Sequence, residues 1–254
     1  MKGKFLTDRG QIRSHNEDSG GTYDNPHGQF LAIIADGMGG HKAGDVASQM
    51  ATSIIQEKWQ NINYFNTPED TEKWLEETIQ KMNKTIYEKA QLDKQCKGMG
   101  TTIVVSVCSN DFVTIAHIGD SRCYLFNEDG FAQITEDHSL VNELIRSGQI
   151  SEQDAENHPR KNVLLKALGT EEYIAADIKS FSWNVGDKLL LCSDGLTNKL
   201  SDNELVEFLQ LNHGIEEVGN KMIALANERG GEDNISLIIV DHIASEEVGG
   251  DASC

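Results

Sequence analysis

Basic residues are scarce in this sequence: 22 lysines and arginines stand against 41 aspartates and glutamates, a formal net charge of −19 over 254 residues. So acidic a chain is repelled by nucleic acid and by anionic membrane surfaces, and neither is expected as a partner. Cysteine is sparse too. Cys96, Cys108, Cys123, Cys192 and Cys254 are odd in number and form no C-x-x-C, which speaks against a disulfide framework or a thiolate zinc site and for a reducing compartment. No apolar stretch approaches a membrane span, and the first residues (MKGKFLTDRG) carry no signal-peptide core. A cytoplasmic protein without membrane insertion is expected. Low-complexity linkers and fixed-period repeats are also lacking. The expectation is a single domain over residues 1–242, with a flap subregion at about 137–169 and a short, acidic, disordered tail at 243–254.

What is present reads as α+β layers. Phe30 to Ala35 is a short, fully apolar strand. Val46, Ala47, Met50, Ala51, Ile54 and Ile55 then recur at helical spacing up to Trp59. Thr67-Pro68-Glu69-Asp70 opens a second helix, with Thr67 as N-cap, and Ser201-x-x-Glu204 is a capping box for another. Strands are expected at Thr101–Cys108, Val113–Ile118, Arg122–Phe126, Phe131–Ile134, Lys188–Cys192 and Ile235–Val240. A helix over Ile215–Arg229 should stop at Gly230-Gly231. The stretch from Ser139 to about Arg160 is polar and helix-prone. Strands in a run with helices in pairs argue against regular βαβ alternation.

The glycines of FLAIIADGMGGHKAG (residues 30–44) build neither common phosphate cradle. G-x-G-x-x-G fails because position 42 is lysine, and the Walker A spacing fails because Asp45 stands where lysine is needed. The loop instead follows a bare carboxylate, Asp36, at the end of an apolar strand. The device recurs. Asp194-Gly195 follows KLLLC, Asp120 breaks two strands in HIGDSR, Asp233 precedes the last strand, and Asp18 lies in RSHNED. An Asp-Gly taken singly is more often a turn. Five such acids at strand ends point to one shared opening, where two charges ~4 Å apart repel by about 4 kcal/mol at an effective dielectric of 20. A divalent cation removes that cost, and hard oxygen ligands without paired histidines or cysteines favour Mn²⁺ or Mg²⁺ over Zn²⁺. Gly37, lacking a side chain, can offer its carbonyl to the same ion.

The motifs RSHNED (13–18), ADGMGGHKAG (35–44), GMGTT (98–102), HIGDSR (117–122), CSDGLTN (192–198) and GGEDNIS (230–236) occur in the order seen in the metal-dependent type-2C serine/threonine protein phosphatases. The chain resembles that family from about Lys4 to Val240, and in particular its compact bacterial stand-alone members. The resemblance implies a central antiparallel β-sandwich with a helix pair on each outer face, in α-β-β-α layers. It also implies a dinuclear Mn²⁺ or Mg²⁺ site at one end. Asp36 would bridge both ions, Gly37 would add its carbonyl, and Asp194 and Asp233 would complete the second ion's shell. Asp18 would act through metal-bound water, and Asp120 would help hold a third, weaker ion.

The implied reaction is direct attack on phosphorus by a hydroxide bridging the ions, with no phosphorylated enzyme. Arg13 would hold the substrate phosphate; its alternative is a salt bridge with Glu17 or Asp18. His41 would protonate the leaving oxygen. It stands two glycines later than the family's usual histidine, so a loop histidine without catalytic duty is an equal alternative. His117 reads as a core residue. In the flap, Arg146, His158, Arg160 and Lys161 could contact a phosphopeptide or simply be solvated. A monomer acting on phosphoprotein substrates, opposing a serine/threonine kinase, is expected. Two other readings stay open: a metal-dependent small-molecule phosphomonoesterase, and an inactive regulatory module on the same scaffold.

Overall fold

Residues 1–39, 43–156 and 158–244 are described in a computed structural model of the chain. The amino-terminal part runs β1 (Lys2–Asp8), β2 (Asp18–Asp24), β3 (Phe30–Met38), α1 (Ala43–Trp59) and α2 (Pro68–Leu92). Next come β4 (Gly100–Thr101), β5 (Ile103–Cys108), β6 (Phe112–Ile118), β7 (Arg122–Asn127) and β8 (Gly130–Gln133). Two short helices, α3 (Leu140–Arg146) and α4 (Glu152–Glu156), precede β9 (Asp177–Ser182) and β10 (Lys188–Cys192). The chain closes with α5 (Asp194–Thr197), α6 (Asp202–Leu209), α7 (Ile215–Glu228) and β11 (Ile235–Asp241).

The strands form two antiparallel sheets, one ordered β1-β11-β10-β7-β8 and the other β2-β3-β5-β6-β9, with β4 paired to the end of β3. The α+β sandwich expected from sequence is what forms. Each sheet is buried on both faces, which is why its central strands are apolar without alternation. On β3, Leu31 and Ile33 pack under Ile55, Leu75, Ile79 and Met82 of α1 and α2. Ala32 and Ile34 turn the other way and meet Leu189, Leu191 and Ile238 of the second sheet. That sheet's outer face packs Leu190, Leu237 and Ile239 beneath Leu205, Leu209 and Met222 of α6 and α7.

Local signals hold at the helix ends. Thr67 Oγ1 accepts the Asp70 amide at 3.2 Å, and the Ser201–Glu204 capping box is complete. Helix α7 ends at Glu228, and the two glycines that follow take positive φ (125° and 52°). Two strands escape the sequence pattern. β2 (DSGGTYD) carries two glycines, one of which, Gly20, lies so close to the Phe5 ring that a Cβ would sit 2.6 Å from it. β9 (DIKSFS) is half-buried and polar. The helix-prone stretch 139–160 becomes the short α3 and α4 within an excursion between β8 and β9. The expected tail, from residue 245 onward, lies outside the described residues.

Candidate metal centre

Asp36 is clamped by its backbone and leaves its carboxylate unspent. Its amide donates to Thr102 Oγ1 at 3.0 Å, and its carbonyl accepts from the Thr102 amide (2.8 Å) and the Thr101 hydroxyl (2.9 Å). Antiparallel pairing of β2 with β3 sets Asp18 directly opposite Asp36. Gly37 is required sterically: its amide donates to the Glu17 carbonyl at 3.1 Å, and a Cβ would lie 2.6 Å from that same oxygen while striking the Gly44 backbone. The first turn of α1 therefore rests against a residue with no side chain.

The loop 9–17, which carries Arg13, is fastened to the segment before β11 by the Gln11 amide, which donates to the Gly231 carbonyl at 2.7 Å, and by a buried side-chain amide. Asn234, 3% exposed, donates to the Arg9 carbonyl (2.8 Å) and the His15 carbonyl (2.9 Å) and accepts from the Glu17 amide (2.8 Å). Arg13 then reaches Asp233, Nη2 to Oδ2 at 2.7 Å, and donates through Nε to the Glu232 carbonyl at 3.3 Å. Its ion pair is thus with Asp233 rather than with Glu17 or Asp18. The other arginine nearby, Arg122, is committed to Asp137, with Nε at 2.9 Å from Oδ1 and Nη2 at 2.7 Å from Oδ2. Asn234→Ala removes three buried hydrogen bonds at once; we expect the melting temperature to fall by roughly 10 °C in a thermal melt. An unchanged midpoint would show that the loop is held elsewhere.

Asp194 opens α5 and receives Asn198 Nδ2 on Oδ2 at 3.1 Å. Asp18 receives the Ser193 hydroxyl on Oδ2 at 2.9 Å. Asp120 and Asp194 both line a cleft of about 760 Å³ beneath the α3–α4 excursion. Of the flap residues singled out in the sequence, Lys161 lines this cleft; His158 and Arg160 are not among its described lining residues, and the Arg160 amide donates to His158 Nδ1 at 3.2 Å. His41 lies outside the described residues. His117 is buried in β6. Asn234 and Ser193, not singled out from sequence, belong to the arrangement, as does Glu17, expected only as an alternative partner of Arg13; the buried Glu17 Oε1 has no hydrogen-bond partner among the described residues.

The electrostatics show how close the acids lie. Burial, then the charges of Asp18, Asp194, Asp120 and Asp233, push the Asp36 carboxyl well above the ordinary carboxylate range. Asp18 and Asp120 are raised to about 7, first by burial and with Asp194 among the charges that add to it, and Asp194 to about 6 by burial and Asp233. Asp18 Oδ1 and Asp194 Oδ1 are buried with no hydrogen-bond partner among the described residues. Buried, uncompensated carboxylate oxygens are the kind of donor that a hard divalent cation satisfies. A second group among the described residues, His117, His138 and Asp177, brings its ligand atoms within 4.8 Å of one another.

One pH dependence follows for the chelator-treated protein. A carboxyl raised in the folded state holds its proton there more tightly than in the unfolded chain. Its stabilising contribution is full below the ordinary value of 3.8 and disappears as pH climbs through about 6 to 7. Discounted for the open side of the cleft, the loss between pH 5.5 and 8 is about 2–4 kcal/mol, or roughly 5–10 °C in melting temperature. Added Mn²⁺ should raise the midpoint more at pH 8 than at pH 5.5, because ionised carboxylates bind it. A flat profile in differential scanning calorimetry would contradict the clustering.

A two-sheet sandwich with acids gathered at strand ends defines a cation-assisted hydrolase scaffold. The profile described as Protein phosphatase 2C matches residues 9–234, and the chain belongs to that family. It is 47% identical over 253 residues to the serine/threonine phosphatase stp of Listeria monocytogenes, covering 100% of both chains. It is 37% identical to the protein phosphatase PhpP of Streptococcus pneumoniae, over 94% of this chain and 97% of that one. Among solved structures, the serine/threonine phosphatase Stp1 from Staphylococcus aureus superposes with a TM-score of 0.90 at 39% identity, covering 94% of each chain. The catalytic domain of the serine threonine protein phosphatase PstP in complex with 2 manganese ions superposes with a TM-score of 0.84 at 30% identity, covering 96% of this chain and 98% of that one.

Proposed function

We propose that the chain hydrolyses phosphoserine and phosphothreonine in proteins, using two Mn²⁺ or Mg²⁺ ions and a third, weaker one. The observation that carries this reading is the convergence of Asp36, Asp18, Asp194, Asp120 and Asp233, with two buried carboxylate oxygens unpartnered among the described residues. Asp36, the Gly37 carbonyl, Asp194 and Asp233 hold the principal pair, Asp18 steadies them from the facing strand, and Asp120 serves the third. When bound, such ions supply Lewis acidity that makes water nucleophilic near neutral pH and offsets charge on the phosphoryl group.

The chain's own residues do the rest. Arg13, fixed by Asp233 and the Glu232 carbonyl, presents its planar donors to the phosphate oxygens. Arg122 cannot substitute, because Asp137 occupies it on two sides. Asn234 and Ser193 keep the Arg13 loop and Asp18 from drifting. The excursion at about 137–169 acts as a flap beside the cleft, where a phosphoprotein segment lies. The single domain spans 1–242, the protein is cytoplasmic, and a serine/threonine kinase supplies its substrates. No described helix is long and apolar enough to cross a membrane.

The deciding assay is phosphate release from a phosphothreonine peptide with and without Mn²⁺. The expected result is turnover that requires the metal. Turnover of small esters alone would favour a small-molecule phosphomonoesterase, and no turnover at saturating Mn²⁺ an inactive module.

A further inference from the structure

His117, His138 and Asp177 invite a transition-metal reading, but the ring chemistry opposes it. His138 Nδ1 accepts the Gly119 amide at 3.1 Å, so the neutral imidazole carries its proton on Nε2. Nε2 lies 3.3 Å from Asp177 Oδ2, outside hydrogen-bond geometry, and a proton there leaves no lone pair for a metal. His117 stacks on this ring, centroids 4.7 Å apart, and bonds through Nε2 to the Glu136 carbonyl at 2.9 Å. The two rings are stacked, and their hydrogen bonds run outward, from His138 Nδ1 to Gly119 and from His117 Nε2 to Glu136.

On one side stands Gly119. It is gripped twice by His138, through the ring and through the His138 amide, which donates to the Gly119 carbonyl at 2.9 Å. Gly119 takes φ +105°, and a Cβ there would lie 2.6 Å from Thr102 Cγ2. Thr102 in turn holds the Asp36 amide and shares a 2.7 Å hydrogen bond with Ser121. Asp120 sits between these two anchored residues. On the other side is the neck of the excursion. The His138 carbonyl accepts the Leu165 amide at 2.8 Å, the Leu140 amide donates to the Val163 carbonyl at 2.8 Å, and Ser139 bridges Leu164. Lys166, just beyond the neck, reaches Asp177 at 3.2 Å, and Asp177 is paired in register with His117 on β6.

We propose that His138 is a positioning residue that ties the neck of the 137–169 excursion to Gly119, and so fixes both the flap and the direction of Asp120. The coupling to cation binding rests on Asp120 holding a cation; the tie itself does not. Burial lowers the tendency of the His138 ring to take up a second proton, in keeping with an acceptor at Nδ1.

The test compares wild type with His138→Ala, His138→Asn and His138→Gln. Amide exchange by mass spectrometry is followed on metal-free protein, and the half-saturating Mn²⁺ concentration is measured in the phosphatase assay. In His138→Ala, peptides spanning Gly119 and Leu165 should exchange about tenfold faster or more, and the Mn²⁺ requirement should rise about tenfold. His138→Asn, whose side-chain oxygen can still accept the Gly119 amide, should recover most of both. His138→Gln, which reaches toward Asp177 but not Gly119, should recover less. Unchanged exchange in His138→Ala, or His138→Asn no better than alanine, overturns the proposal. Faster exchange with an unchanged Mn²⁺ requirement overturns the link to Asp120. If wild type itself shows no metal-dependent turnover, the reading of the centre fails while the exchange data still decide the tie.

Discussion

Asp36→Asn should lower phosphate release by about 10³-fold or more, since a Lewis acid is worth several kcal/mol of transition-state charge stabilisation and each 1.36 kcal/mol is tenfold in rate. The same change should raise the melting temperature of the metal-free protein. Asp36 stands opposite Asp18 in register and feels the charges of Asp194, Asp120 and Asp233, so a neutral amide relieves repulsion that a cation otherwise offsets. Asn keeps the backbone bonds to Thr101 and Thr102 and alters only the carboxylate. Opposite signs for activity and stability distinguish a functional acid from a structural one. A variant that is both active and no more stable would show that Asp36 lies outside the working centre.

Arg13→Ala should cost about 30-fold to 10³-fold in kcat/KM at saturating Mn²⁺, the 2–4 kcal/mol of a charge-assisted, two-point grip on a phosphate. The residue is half-exposed, with 47% of its side chain open, so the loss should fall on substrate rather than on the fold. Arg13→Lys should recover little, because an ammonium cannot reproduce the planar fork that Asp233 and the Glu232 carbonyl hold in place. Kinetics on a phosphothreonine peptide decide this, and an unchanged kcat/KM would assign Arg13 to the ion pair with Asp233 alone.

Much of this was legible in the chain because the signals are local. Asp36 and Asp194 each come just after an apolar run and precede glycine, so a bare acid can be read within ten residues, although β3 continues through Asp36 to Met38. The caps at Thr67 and Ser201 are equally local. β2 was not legible, since DSGGTYD gains its strand character from pairing with β3, and Gly20 and Gly21 are set by the closeness of Phe5 and Tyr23 respectively. Nor was the role of Asn234, whose three partners lie 217 to 225 residues away. The flap shows a third kind of limit. His158, Arg160 and Lys161 lie in the turns that follow α4, where no periodicity fixes which basic residue faces the cleft; among these three, Lys161 lines it.

Crystals soaked in Mn²⁺ and measured at an anomalous wavelength test the central claim most directly. The account predicts strong paired peaks enclosed by Asp36, Asp194 and Asp233, and none at His117, His138 and Asp177. Manganese bound by the histidine pair, with no peak among the carboxylates, would contradict it.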